Sequence, residues 1–146
     1  HILEGDELYS VMSKADIVVD ASDNFNTRFS LNEASVKTRT PLVSGAAIRF
    51  ESQVSVFDPR DATSPCYRCL YGDDAQVEET CTANGVVSPL LGIIGSIQAM
   101  EAMKLIMGIG QTLTGKLLLF DALNMEWHQA KLSKDPNCPV CSINVE

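Results

Sequence analysis

Four of the chain's five cysteines fall in two pairs of identical spacing, Cys66-Tyr67-Arg68-Cys69 and Cys138-Pro139-Val140-Cys141. Two residues between two sulfurs form a short loop that lets both thiolates reach one tetrahedral ion, and two such loops complete a four-sulfur shell. A shell with no open position is structural, so the spacing favours a structural zinc on Cys66, Cys69, Cys138 and Cys141. The ion would tie a long loop to the C-terminal tail, two segments with little core of their own. The competing chemistry is a redox dithiol, which asks for a CxxC at a helix N-terminus, and neither pair opens a convincing helical pattern. A third reading, four unconnected buried thiols, leaves the repeated spacing as coincidence. The remaining Cys81 has Glu78 and Glu79 beside it, which disfavour a thiolate. With only His1 and His128 in the chain, no Cys/His dyad is evident, and by chemistry alone Cys81 is a plain loop cysteine.

A second constellation is Ser22-Asp23-Asn24, just past the buried run Ala15 to Asp20, where open α/β sheets place ligand groups. Arg28 falls in the first turn of the next helix, where the macrodipole disfavours a cation. That local cost suggests a bound phosphate or carboxylate facing Arg28. The alternative is that Asp23 or Asn24 caps the helix while Arg28 is solvated, and the residues alone leave both open. Asp121 and Arg49 follow other strands and read as ordinary loop charges. Neither a GxGxxG turn nor a P-loop is present, so nothing in this chain cradles a triphosphate unaided.

The elements that must position these groups follow from apolar patterning. Glu4 to Lys14 has helical spacing, Ala15 to Asp20 is a short run of the fully buried parallel type, Thr27 to Lys37 is a helix and Thr40 to Ser44 another buried strand. This rhythm predicts an α/β fold with a mainly parallel sheet. Gln53 to Phe57 alternates as an edge or half-exposed strand would. Residues 58–88 form a long loop carrying the first cysteine pair, and loops of that length are usually functional or stapled. Ser88 and Pro89 supply an N-cap and N1 for a helix reaching Gly108 or Gly110, expected to be central and largely buried, with Gly92 and Gly95 permitting close packing. Lys116 to Phe120 and Glu126 to Leu132 form two further strands joined by a turn, and residues 133–146 a tail with the second cysteine pair.

Composition bounds the function. With 146 residues, 45% of them hydrophobic and 21% charged, the chain suffices for one compact domain. A net charge of −8 with no basic stripe argues against nucleic acid. The apolar run Val86 to Ile109 is interrupted by Gln98, Glu101 and Lys104 and is not expected to span a membrane. No secretion signal is recognisable, and two CxxC pairs within an odd cysteine count read as reduced thiols in the cytoplasm. Opening at His1 and leading directly into a patterned segment, the chain is expected to begin mid-protein.

From Ala15 to Cys141 the chain resembles the adenylyltransferases that activate sulfur-carrier proteins in molybdopterin and thiamine biosynthesis, relatives of the ubiquitin-activating enzymes. The resemblance rests on Asp16-Ile-Val-Val-Asp-Ala-Ser-Asp-Asn24 with Arg28, Pro41 to Arg49, Pro65 to Leu70, Cys81 with Gly85 to Pro89, Gly92 to Lys104, and Cys138 to Cys141. It implies the C-terminal half of a Rossmann-like adenylation domain, its parallel sheet continued by antiparallel strands and carrying a four-cysteine zinc knuckle. The Gly-rich phosphate loop would lie in an N-terminal half absent from this sequence, so this piece alone is expected to be inactive. The resemblance further implies that Asp23 positions Mg²⁺ and ATP phosphates, with Asn24 and Arg28 beside it where the carrier's Gly-Gly tail enters. Cys81 aligns with a family loop cysteine that in some members joins covalent chemistry. The implied partners are ATP, a ubiquitin-like sulfur carrier and a second copy in a homodimer. Pro41 to Phe57 leans towards the molybdopterin branch. The alternative is a zinc-stabilised α/β module that binds a carrier without catalysis.

Overall fold

A computed structural model describes residues 2–72 and 85–142. Within them the order is α1 (Gly5–Met12), β1 (Val18–Asp20), α2 (Phe25–Thr38), β2 (Leu42–Ile48), β3 (Glu51–Phe57), α3 (Tyr67–Leu70), α4 (Ser88–Met107), β4 (Lys116–Asp121) and β5 (Glu126–Lys131). The strands form one sheet in sequence order. Only β1 and β2 run parallel, Val18 facing Leu42 and Asp20 facing Ser44, because α2 carries the chain back between them. The following strands are all antiparallel to their neighbours. The βαβ rhythm is thus realised once, at the end of the sheet that bears Asp23, and the antiparallel continuation fills the rest.

Alternation along β2 and β3 divides the core between two faces. Ala47 and Val54 pack with Leu90, Ile94 and Phe120 beneath α4, whereas Leu42 and Phe57 pack with Tyr67 and the aromatic side of α2. A further cluster, Leu8, Met12 and Ala34, seats α1 on α2. Each fully buried Val, Leu or Phe of this kind contributes about 1.5–3 kcal/mol relative to exposure.

Several expectations are corrected here. Gln53 to Phe57 lies within β3, an internal strand paired on both sides, not an edge. Its polar members mislead because neither is freely exposed: Ser55 is buried and donates to the Lys116 carbonyl at 2.7 Å, and half-buried Gln53 donates to Tyr71 OH. Helix α4 is not largely buried either. Leu90, Ile94, Gln98 and Glu101 face inward, while Leu91, Met100, Met103, Ile106 and Met107 are exposed and Gly92 and Gly95 face open space. Gln98 and Glu101 can be buried because backbone groups satisfy them. Gln98 Nε2 donates to the Asp20 and Val43 carbonyls at 2.7 and 3.2 Å, and Glu101 Oε2 accepts from Leu113 N at 2.7 Å. By length and composition alone α4 is apolar enough to cross a membrane, despite Gln98, Glu101 and Lys104. In this fold Gln98 lies with Leu90 and Ile94 on the side that α4 presents to the sheet. Its N-cap is Val87, placing Ser88 one position into the helix.

Candidate functional site

The end of β1 is fixed from three directions. Gln98 holds the Asp20 carbonyl, the Asp20 side chain accepts from Ser22 N at 2.8 Å, and the chain turns through Ser22 and Asp23 into α2. Asn24 is the N-cap of that helix: its Oδ1 accepts from Thr27 N at 2.8 Å and its Nδ2 donates to Asp23 Oδ1 at 3.2 Å. Asp23 is exposed beyond the strand end. Arg28 is buried at 7% exposure, and its Nη2 donates to the Ser22 carbonyl at 2.7 Å. The capping alternative is therefore half right, since Asn24 caps but Arg28 is not solvated.

Beneath the turn, Asp20 Oδ2, Ser22 Oγ, Arg28 Nε and Tyr67 OH are buried without a hydrogen-bond partner among the described residues. Burial pushes the Tyr67 phenol up to about 12, against the opposing influence of the nearby Arg28 guanidinium. A buried unpaired donor costs about 1–3 kcal/mol, so orphaned Arg28 Nε makes this a place where a polar ligand or water is stabilised.

The four paired cysteines converge although the pairs are 72 residues apart. Their sulfurs all lie within 4.8 Å of one another, with Cys66–Cys69 at 3.9 Å, Cys66–Cys138 at 3.7 Å and Cys69–Cys141 at 3.4 Å. Thiolates about 2.3 Å from a central zinc stand about 3.8 Å apart in a tetrahedron, so the donor set fits a metal ion of that kind. All four are free cysteines. Burial pushes the Cys66 thiol up to about 11, with Cys69 beside it adding to the shift. Burial and the neighbouring Cys69 also raise Cys141. At Cys138 burial is outweighed by the backbone N–H groups of Cys141 and Val140, and its thiol lies below the ordinary value. The raised Cys66 and Cys141 thiols are ones whose ionisation a cation at the centre of the cluster would favour.

Against expectation, Cys66 does open a helix, as the N-cap of the four-residue α3. A single short turn with its sulfur facing three others is a knuckle rather than an exposed thiolate at a long helix N-terminus, so the dithiol reading gains nothing from it. Cys81 lies outside the described residues. Asp121 takes a structural place, as its loop context suggests. Arg49 occupies a positive-φ position in the β2–β3 turn and bonds through its backbone to Gly85 and Val87, while the Asp121 carboxylate accepts from Leu123 N and the Asn124 amide. Sequence patterning does not single out Gln98 or Asn32 as site residues. Each is a buried amide whose partners are distant in the chain, and only a polar residue interrupting an otherwise apolar helix face signals it.

Fold and site together define an α/β unit in which a parallel strand end carries an acidic turn, an antiparallel sheet continues it, and four cysteines gather in one cluster. The chain belongs to the ThiF family, whose model matches residues 2–140. It is 43% identical over 143 residues to the molybdopterin-synthase adenylyltransferase of Escherichia coli, covering 96% of this chain and 56% of that protein. It is 40% identical over 139 residues to the sulfur carrier protein ThiS adenylyltransferase of the same organism, covering 95% and 55%. The chain thus spans about half the length of these relatives. Among solved structures, E. coli MccB with ATP superposes with a TM-score of 0.74 at 17% identity, over 97% of this chain and 45% of that one, a likeness of fold alone.

Proposed function

We propose that the full-length protein containing this chain adenylylates the C-terminal glycine of a ubiquitin-like sulfur carrier. The carrier's carboxylate oxygen attacks the α-phosphorus of ATP, the bond from that phosphorus to the pyrophosphate oxygen breaks, and an acyl-adenylate and pyrophosphate result. The carboxylate enters ionised, so no proton need move, and the protein's work is alignment and charge opposition. The observation that carries this reading is the buried Arg28 with its orphaned Nε beneath the exposed Asp23–Asn24 turn. Arg28 suits an anion there, Asn24 fixes the turn, and Asp23 would hold Mg²⁺ together with the nucleotide. Bound Mg²⁺ would withdraw charge from the phosphate oxygens. The names of the two E. coli relatives support the reaction class.

The same reading assigns the ion on Cys66, Cys69, Cys138 and Cys141 as structural zinc. It makes residues 58–88 the loop that carries both the first cysteine pair and Cys81, and residues 133–146 the fastening tail. Cys81 enters as the loop cysteine available for covalent chemistry. A homodimer and an N-terminal nucleotide-binding half complete the assembly, and the exposed Met100, Met103, Ile106 and Met107 of α4 are more apolar surface than one helix commonly leaves bare. Unlinked thiols fit a reducing cytoplasm.

The test is ATP–pyrophosphate exchange by the full-length protein with its purified carrier. Asp23→Ala should lower exchange by about 10²–10³-fold, the loss typical of one preorganised electrostatic group. Exchange undiminished in that variant would remove Asp23 from the machinery.

A further inference from the structure

We infer that Asn32 is a positioning residue that grips the metal knuckle by a hydrogen bond to the Cys66 sulfur and couples it, through α2, to the strand-end site. The inference rests on the reading of the four cysteines as a metal centre and is independent of the adenylylation chemistry.

Asn32 is 1% exposed, and an amide so buried must find partners at both ends. Its Oδ1 accepts from Tyr67 N at 2.7 Å and its Nδ2 donates to Cys66 Sγ at 3.6 Å, across 35 and 34 residues of sequence. Tyr67 is the first residue of α3, so its N–H is one that the helix leaves unpaired. Cys66, the N-cap, makes no side-chain capping bond, its sulfur being turned to the other thiols. Asn32 therefore caps α3 from another helix and at the same time donates to the sulfur that an ordinary capping residue would not have. An N–H donor spreads the charge of a thiolate and fixes its direction, as outer partners of metal ligands do.

The chemistry selects asparagine. Aspartate would set a carboxylate against the sulfurs, leucine would strand Tyr67 N–H, and glutamine is one methylene too long for a closed site. Along α2, Asn24, Arg28 and Asn32 recur every fourth residue and lie on one stripe. Asn24 caps the helix, Arg28 holds the Ser22 carbonyl and Asn32 holds the knuckle, so one rigid element links the metal to the turn bearing Asp23.

The experiment loads the full-length protein with Co²⁺, whose thiolate charge-transfer and visible bands report the four-sulfur site. Asn32→Asp and Asn32→Leu should shift the charge-transfer band and weaken metal retention against a chelator by about 10–100-fold. Glu33→Gln, an exposed neighbour on α2, should do neither. Should both Asn32 variants fail to fold, the wild type still decides: with ¹¹³Cd bound, the Asn32 side-chain amide should show coupling to the metal, and the Arg28 Nε–H resonance should move between metal-free and loaded forms. Folded Asn32 variants with unchanged spectrum and retention would overturn the inference, as would a wild-type Asn32 amide or Arg28 Nε–H blind to the metal. A wild type that gives no four-thiolate spectrum overturns the metal reading and this inference together.

Discussion

Gly45 and Gln98 occupy one another's space, and a double-mutant cycle tests the consequence. A Cβ at position 45 would stand 2.6 Å from Gln98 Nε2 and 2.7 Å from Oε1, and closer still to Cδ. The far end of a glutamine is normally free to swing away, but here it is 3% exposed and bonded to the Asp20 and Val43 carbonyls. Gly45→Ala should evict the amide and forfeit both bonds, at about 0.5–1.5 kcal/mol each. Against this, Gly→Ala in a strand gains roughly 0.5–1 kcal/mol from the unfolded state. In wild type the net is a destabilisation of about 1–2 kcal/mol. In a Gln98→Ala background the new methyl enters vacated room, and Gly45→Ala should become neutral or stabilising, a coupling of about 1–3 kcal/mol. Urea unfolding of the four full-length proteins measures it. Costs that add within about 0.5 kcal/mol would refute the mutual exclusion of the two side chains.

Two further outcomes follow from the sites described. Cys138→Ser should abolish stoichiometric metal by elemental analysis, and in the wild type metal should leave as pH falls, because protons compete for the sulfurs the ion requires. At the β4–β5 turn, the Asn124 side-chain amide and the Leu123 and Asn124 N–H groups hold the Asp121 carboxyl below the usual carboxylate range. A depressed carboxyl supports the fold above its unfolded pKa and ceases to do so as pH drops through the folded one. Asn124→Ala should therefore return Asp121 towards its ordinary titration in a ¹³C-carboxyl NMR experiment; an unmoved midpoint would remove the amide as the cause.

What is legible in the sequence depends on how far apart cause and effect lie in the chain. The cysteine pairs announce themselves because each is a local loop, and geometry then joins the two. The strand-end turn is visible for the same reason: Asp23, Asn24 and Arg28 lie within one turn. By pattern Gly45 leaves β2, whereas β2 runs on to Ile48 and the glycine marks a close approach by α4. Its partner Gln98 is bonded to Asp20, 78 residues away, so no local window contains the reason. Gln98 looks like a break in an apolar helix when it belongs, with Leu90 and Ile94, to the docking face of α4, because the Asp20 and Val43 carbonyls satisfy a buried amide as well as water does. Ser55 hides the interior position of β3 by the same route, its hydroxyl donating to the Lys116 carbonyl.

The knuckle has a consequence in time. Cys138 and Cys141 follow β5 in the chain, while Cys66 and Cys69 precede α4, β4 and β5. The four-sulfur cluster therefore assembles only after the sheet is synthesised, and capture of an ion there would be a late, long-range step. A nascent chain halted before Cys138 holds only one of the two cysteine pairs, so a secure grip on an ion there would certify that translation has passed β5.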